Sequence, residues 1–154
     1  MSDPVTIRPA VPADADTLVR FNLRMAMETE DKQLDPAVLA SGVEAVLRDP
    51  ALGFYRIANV GVKAIGSLLV TSEWSDWRNG TFWWVQSVYV VPEHRQRGVF
   101  RALYENVKIL ARSTPRVCGC RLYVEQDNAA AQATYARLGM MDTKYRVMEE
   151  LFRQ

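Results

Sequence analysis

The chain has 154 residues, and its 19 Lys and Arg nearly balance its 18 Asp and Glu, which leaves a net charge of +1. A near-neutral chain has no general attraction to nucleic acid or to a membrane surface, so any anion site must be local. The length suits one buried core, and no linker-like or repeated segment divides the sequence. We therefore predict a single domain over residues 1–154, with no nucleic-acid or membrane partner.

The sequence carries no signal for export or for metal binding. Met1–Ala10 lacks a basic region followed by an apolar one, and the longest apolar strip, Phe82–Val91, is interrupted by Gln86. Cys118 and Cys120 do not have the spacing of a zinc site or of a redox motif. These features predict a soluble cytoplasmic protein whose cysteines are packing thiols and which needs no metal.

The first half of the chain predicts two helices followed by a hairpin. Val5–Arg8 has the composition of a short strand, and Asp14 is placed to cap the helix that follows. An Asp-Pro pair at 35–36 is typical of the start of a second helix. Phe54–Ala58 and Ala64–Trp74 are β-rich runs separated by a turn that contains a glycine.

The second half predicts alternating strands and helices. Aromatic and β-branched residues cover both faces of the segment before Pro92, as expected of a central strand. In chain order, the predicted elements are a strand at Thr81–Val91, a helix at Val99–Ala111, a strand at Cys120–Val124, a helix capped by Asn128 that runs to Leu138 and stops at Gly139, and a strand at Lys144–Leu151.

The most informative segment is the basic loop between the central strand and the next helix. The first amides of a helix have no internal partner and lie at the positive end of its dipole, so an anion that docks there gains several hydrogen bonds. Gly98 permits a backbone conformation that other residues resist, and Arg95, Arg97 and Arg101 add positive charge. The pattern predicts a phosphate site, although a solvated basic loop explains the same residues.

This loop resembles the acetyl-CoA signature of the GNAT superfamily of N-acyltransferases, Gln/Arg-x-x-Gly-x-Gly/Ala. Arg95 and Gly98 match, whereas Phe100 stands where the family usually has Gly or Ala. A second motif of the family is similar to Asn128, with Tyr135 seven residues later and Leu-Gly following. Seven residues are about two helical turns, so both side chains lie near one line, although a helix cap and a core tyrosine explain the pair as well.

The resemblance covers nearly the whole chain and implies both a fold and a cofactor. The implied fold is α/β (α+β): a mixed, mostly antiparallel sheet of six to seven strands with four flanking helices, in which the fourth and fifth strands splay apart. Acetyl-CoA would lie in that gap. The residues implied to bind it are Val88, Tyr89, Val90, Arg95, Gln96, Arg97, Gly98, Val99, Phe100, Arg101, Asn128 and Tyr135.

The resemblance also implies a transferase that moves the acetyl group to a primary amine by direct attack in a ternary complex. Tyr135 corresponds to the general acid, and the Val90 amide would face the carbonyl oxygen as it gains charge. Where relatives often carry a catalytic Glu, this chain has Trp84 and Tyr123. The candidate base is therefore Glu73 or Glu28.

The acceptor is predicted to be a small-molecule or peptide amine. Its candidate contacts are Glu28, Glu73, Asp76, Trp84 and Gln86, although solvated acids and packing tryptophans are the simpler interpretation of these residue types. Three alternatives stay open: a non-catalytic acyl-CoA-binding sensor or interaction module, a transferase for longer acyl groups, and one acting on a protein N-terminus or lysine. The resemblance also implies a homodimer.

Overall fold

The structure, a computed structural model, describes residues 3–153. Its regular elements are β1 Val5–Pro9, α1 Ala15–Glu30, α2 Pro36–Arg48, β2 Phe54–Val60, β3 Lys63–Ser75, β4 Gly80–Val90, α3 Val99–Ser113, β5 Val117–Leu122 and α4 Ala129–Arg137. Short 3₁₀ turns lie at Pro12–Asp14 and Pro92–His94. The order agrees with the sequence prediction up to α4.

The strands form one sheet in the order β1-β2-β3-β4-β5. The first four pair antiparallel and β5 pairs parallel with β4, so the predicted mixed, mostly antiparallel α/β fold with four helices is confirmed. The chain forms two compact units, one up to Tyr123 and one from Val124 onward. The sheet and helices α1–α3 belong to the first unit, and α4 belongs to the second.

The prediction of six to seven strands is wrong for residues 3–153, which contain five. Lys144–Leu151 was expected to be a strand, but it is irregular, and Tyr145 and Val147 are 76% and 70% exposed. Alternating side chains make a segment suitable for a sheet, but a strand exists only through the hydrogen bonds of a neighbour. No described residue pairs with this segment.

The fifth strand begins earlier than expected. Its predicted range was Cys120–Val124, whereas β5 spans Val117–Leu122. The Thr81 amide donates to the Arg116 carbonyl at 2.7 Å, so pairing starts as soon as the chain leaves the turn. Gly119 has low strand propensity and hid this start in the sequence.

Helices cover both faces of the sheet. Leu18 of α1, Val43 of α2 and Ile57 of β2 share one buried cluster, against which Leu69 of β3 packs. A Cβ built on Gly66, which points to the opposite face, would lie 3.3 Å from Val99 of α3. The sheet is therefore held between α1 and α2 on one face and α3 on the other.

The residues predicted at the starts of α1 and α2 differ in outcome. The Asp35 carboxylate accepts hydrogen bonds from the Ala37 and Val38 amides at 2.9 and 3.4 Å, which confirms it as the cap of α2. Asp14 stands at the cap position of α1, but its side chain makes no capping bond. It accepts two bonds from Arg8, at 2.8 and 2.9 Å, and one from the Val11 amide at 2.7 Å. The carboxylate thus ties β1 to the start of α1.

We expect Asp14→Asn to lower the free energy of unfolding near pH 7, because it removes the carboxylate that Arg8 binds. The loss should be only roughly 1 kcal/mol, because more than a third of the Arg8 side chain is exposed. The Arg8 hydrogen bonds hold the pKa of Asp14 below its usual value. This contribution is complete above the unfolded pKa of about 4 and disappears as the pH falls through the folded pKa.

Urea unfolding at several pH values checks this expectation, with the exposed neighbour Asp16→Asn as the matched control. The difference between Asp14→Asn and the wild type should shrink between pH 5 and pH 2. A difference that is constant over this range, or that Asp16→Asn reproduces, contradicts the role given to Asp14.

Candidate active site

The end of β4 has an open edge. The register of β4 with β5 runs from Thr81↔Val117 to Val85↔Leu122 and stops there, while β4 stays paired with β3 as far as Gly66↔Val90. Beyond Val85, no strand of the described chain lies on the other side of β4. The predicted splay of these two strands is confirmed.

The Val90 backbone groups face this open edge. The Val91 amide donates to the Ile65 carbonyl of β3 at 2.9 Å, and successive residues of a strand alternate in the side to which their amide and carbonyl point. The Val90 carbonyl accordingly points away from β3 and accepts a bond from Arg95 Nε at 2.8 Å. Val88 lies at an irregularity in the β3–β4 pairing, next to Ser87 with a φ of +51°.

The loop after β4 contains two residues with positive φ, a feature that anion-binding loops often have. Gln96 and Gly98 have φ values of +61° and +78°, and alternation of such residues with right-handed ones turns successive amides toward one point. The α3 ladder begins with the Ala102 amide, which donates to the Gly98 carbonyl at 3.0 Å, so the first turn has no acceptor within the helix. No atom lies within 4 Å of a Cβ built on Gly98. Glycine is therefore required here for its dihedral angles and not for space.

The side chains of the loop point in different directions. Arg97 and Arg101 are exposed. Phe100, the departure from the family signature, stacks along α3 on Tyr104 with ring centroids 5.9 Å apart. Arg95 was predicted to bind the phosphates, but its Nη2 donates to Glu28 Oε2 at 2.6 Å, and its backbone amide donates to the Pro92 carbonyl at 3.2 Å.

Glu28 in the last turn of α1 also accepts a bond from the Tyr89 hydroxyl at 3.2 Å. Tyr89 is buried, and its ring packs on Phe21 of α1 at 5.1 Å. Burial, reinforced by the Glu28 charge, raises the pKa of the Tyr89 hydroxyl above its ordinary value. A cavity of about 280 Å³ adjoins this group and is lined by Arg24, Met27, Glu28, Tyr89 and Pro92.

The other candidate base, Glu73, lies in a separate group. Glu73 Oε1 accepts bonds from Trp84 Nε1 at 2.8 Å and from Arg121 Nη1 at 3.1 Å. The Arg121 guanidinium lies 3.6 Å from the centre of the Phe82 ring, and a Cβ built on Gly119 would be 2.9 Å from that ring. The half-exposed Glu73 is thus held by two donors on the face of the sheet that α1 and α2 partly cover.

The remaining predicted acceptor residues are divided between this face and the β3–β4 turn. Gln86, a polar residue within an apolar strand, donates to the Thr71 hydroxyl. Trp84 stacks on Tyr123 with ring centroids 4.6 Å apart, so the two positions without the family's carboxylates contact each other. Asp76 lies in the exposed turn and accepts a bond from the Trp77 amide at 2.9 Å.

The four tryptophans do not share one role. Trp83 is buried and meets Phe54 edge to face at 5.1 Å, as predicted for a packing residue. Trp74 and Trp77 are 54% and 87% exposed around the hairpin turn. Only Trp84 faces the polar group around Glu73.

The second unit contains both residues of the second motif. Asn128 Oδ1 accepts a bond from the Ala131 amide at 3.0 Å, so the residue caps α4 as its alternative interpretation predicted. Tyr135 lies seven residues later on α4 and is half-buried. Burial raises the pKa of its hydroxyl, which keeps the proton on the oxygen well above neutral pH.

Sequence reasoning missed Arg121 and Thr71. Both lie on the same face as Trp84 and Gln86, because the register places Thr71, Trp84 and Arg121 in one row across β3, β4 and β5. An arginine in a short, otherwise apolar strand was the available signal, since a charge in a sheet requires a partner.

In residues 3–153, no three or more His, Cys, Asp or Glu side chains are grouped so that they could hold a metal ion. Burial raises the pKa of the free Cys120 thiol. No helix in the same range has the length and apolar character needed to cross a membrane.

The glycine-containing loop at the N-terminus of α3, next to an open strand edge, is an arrangement of α/β proteins that suits an anion. Residues 19–140 match the model of the acetyltransferase (GNAT) family. A possible acetyltransferase from Clostridium difficile 630 is 42% identical in sequence, with 97% of this chain and 99% of that chain covered and a TM-score of 0.90. The chain belongs to the GNAT acetyltransferase family.

More distant structures share the fold. A GCN5-related N-acetyltransferase from Ralstonia eutropha JMP134 is 18% identical, with a TM-score of 0.73 over 96% of this chain and 99% of that one. The aminoglycoside N-acetyltransferase AAC(6′)-Iy, in complex with CoA, is 18% identical, with a TM-score of 0.79 over 99% and 98%. No curated protein matches the chain.

We expect Gly98→Glu to abolish binding of coenzyme A in calorimetry, because it adds bulk and a negative charge where the loop amides converge. Gly98→Ala should weaken binding without abolishing it, since a non-glycine residue at a φ of +78° is strained by roughly 1 kcal/mol. Gly42→Glu in α2 is the matched control, because a Cβ at Gly42 also meets no atom within 4 Å. Unchanged affinity in Gly98→Glu contradicts the phosphate site.

Proposed function

We propose that this protein transfers the acetyl group of acetyl-CoA to a primary amine of a small molecule or peptide. The observation that carries the proposal is the open edge of β4, which continues directly into the loop with positive φ at Gln96 and Gly98. The open edge of β4 suits the extended pantetheine arm of the cofactor, and the loop suits its diphosphate. The fold shared with an aminoglycoside N-acetyltransferase bound to CoA supports the same cofactor class.

The residues of the first unit fit such a cofactor. Amides of the loop and of the first turn of α3 are suited to the diphosphate, and the exposed Arg97 and Arg101 add charge beside them. The backbone of Val88 and Val90 lies where a pantetheine arm would pair like an added strand. When bound, acetyl-CoA supplies a thioester whose carbonyl carbon an amine can attack.

An alkyl amine has a pKa of about 10.4, so at pH 7 only about one molecule in a few thousand is neutral. A base near the end of β4 would take the proton from the amine and leave it neutral for attack. Glu73 lies opposite Phe82, eight residues before Val90, which is roughly 25 Å of strand. Glu28 lies near the Val90 carbonyl, because the guanidinium of Arg95 donates to both. This proximity supports Glu28 as the base, acting directly or through a water molecule.

Two further groups complete the proposed chemistry. The Val90 amide on the open edge donates to the carbonyl oxygen as negative charge develops there. The Tyr135 hydroxyl returns a proton to the departing thiolate, and its raised pKa supports this role because the proton is present at neutral pH.

The cavity beside Glu28 supports a small acceptor. Its volume of about 280 Å³ is at the lower end for ligand pockets, and Glu28 offers a carboxylate to a cationic amine. Asp76 lies in the turn between β3 and β4, at the opposite end of β4 from this cavity. The cytoplasmic location, the homodimer and the single domain over residues 1–154 stay predictions.

One observation favours a non-catalytic acyl-CoA sensor as the second candidate. Trp84 and Tyr123 occupy the positions where relatives often have a catalytic Glu, and they are stacked on each other. A sensor would bind the same cofactor without promoting transfer.

Calorimetry with acetyl-CoA, followed by thiol release with polyamines, aminoglycosides, amino acids and peptides, tests the proposal. We expect saturable binding and a thiol-release rate that depends on one class of amine. Binding without any responsive acceptor favours the sensor, and the absence of binding to acetyl-CoA or coenzyme A removes both candidates.

We expect Tyr135→Phe to lower kcat about 100-fold or more while the affinity for acetyl-CoA is retained, because the variant loses the proposed proton donor and keeps the aromatic ring. Since the folded pKa of Tyr135 is raised, the wild-type rate should show no loss from this group below about pH 10. Tyr145→Phe, at a position 76% exposed, is the control. Unchanged turnover in Tyr135→Phe removes the residue from the acid role.

A further inference from the structure

The guanidinium of Arg95 is shared by two parts of the first unit. Nε donates to the Val90 carbonyl at 2.8 Å, and Nη2 donates to Glu28 at 2.6 Å. Its central carbon lies 5.4 Å from the centre of the Tyr89 ring, whose hydroxyl bonds the same carboxylate. We name the group formed by Glu28, Tyr89, Arg95 and the Val90 carbonyl the Arg95 clamp.

The Arg95 clamp joins segments that are far apart in sequence. Glu28 is 67 residues before Arg95, and Tyr89 is 61 residues after Glu28. The buried Tyr89 ring fixes one side of the group against Phe21, so the end of α1 and the end of β4 are held together. Arg95 also stands one residue before Gln96, where the backbone first adopts positive φ. The same contact therefore anchors the beginning of the loop.

These contacts direct Arg95 away from an anion. Its backbone amide, Nε and Nη2 all donate within the first unit, to a carbonyl, a carbonyl and a carboxylate. A phosphate would have to compete with Glu28 for Arg95. Arg97 and Arg101, which are exposed like Arg95, take part in none of the ion pairs between described residues. The cationic partner of the cofactor is better supplied by these two residues.

We infer that Arg95 is a positioning residue for acetyl transfer and is not a phosphate ligand. It holds the Glu28 carboxylate and the Val90 backbone in fixed positions relative to each other. The inference rests on the proposed function. A guanidinium can hold both partners at once because its donors form a rigid fork, while a lysine ammonium at the end of a flexible stem holds them poorly. Misplacement of a base or of an amide by about 1 Å can reduce a rate about 100-fold without changing how tightly a substrate binds.

The test measures the acetyl-CoA dissociation constant and kcat at saturating substrates for Arg95→Ala, Arg95→Lys and Arg97→Ala. We expect Arg95→Ala to lower kcat about 10- to 100-fold and to change the dissociation constant little. Arg95→Lys should fall between Arg95→Ala and the wild type. Arg97→Ala should weaken acetyl-CoA binding roughly tenfold, the loss expected for one charge-assisted hydrogen bond. Arg48→Ala, at an exposed site of α2, is the matched control and should change neither quantity.

Hydrogen exchange on the free protein separates the inference from the proposed function. The amides at the end of α1 and in residues 90–98 should exchange faster in Arg95→Ala than in Arg48→Ala, whether or not a cofactor is present. Equal exchange in these two variants overturns the clamp, and an affinity loss in Arg95→Ala that matches Arg97→Ala with unchanged kcat makes Arg95 a phosphate ligand. Failure of the wild type to bind acetyl-CoA, with faster exchange in Arg95→Ala, overturns the proposed function and with it the positioning role, while the clamp stands.

Discussion

The loss of pairing between β4 and β5 after Val85↔Leu122 is the constraint on which the candidate site depends. Parallel strands normally keep their ladder, and an unpaired backbone edge needs another partner. Here β4 stays paired with β3 as far as Val90, so the strand is held in place while its other edge is unpaired. One carbonyl of that side accepts from Arg95. The loop and the first turn of α3 follow directly, which aligns a strand edge with a helix N-terminus.

Ion pairing determines which charges remain outward. Glu28 is paired with Arg95, Glu73 with Arg121 and Asp14 with Arg8. Two of the acids that the sequence suggested would attract a cationic amine, Glu28 and Glu73, therefore already lie close to a guanidinium group. Arg97 and Arg101 are exposed on the loop, so local positive charge arises in a chain whose net charge is only +1. The balance of the whole sequence conceals this arrangement.

Sequence reasoning succeeded where a local rule decides the structure. Asp35 before a proline caps a helix, Gly98 adopts a conformation that favours glycine, and an apolar run of both faces becomes the central strand β4. It failed where a partner distant in sequence decides. Asp14 turns to Arg8 instead of capping, and the strand pattern of Lys144–Leu151 finds no pairing neighbour in the described chain.

The same limit explains the site. The loop motif could be found because its residues are consecutive, and the family that it suggested agrees with the match of residues 19–140 to the GNAT acetyltransferase model. The direction of the Arg95 side chain could not be found, because it depends on Glu28 in α1 and on the exposed side of β4. Residue type and spacing predict that an arginine would lie near the phosphates of a bound cofactor, but the packing of α1 against β4 decides where the Arg95 side chain points.

Gly119 shows how far a small change can act in this sheet. The hydrogen atom of Gly119 leaves room for the Phe82 ring, and that ring supports the guanidinium of Arg121 from 3.6 Å away. A methyl group at this point would lie 2.9 Å from the ring and would force it to shift, and the arginine that lies over the ring donates to Glu73. The residue at position 119 therefore affects the Glu73–Arg121 ion pair without contacting it. In a homologue with a larger residue there, the Phe82 ring and the Arg121 side chain would have to pack differently.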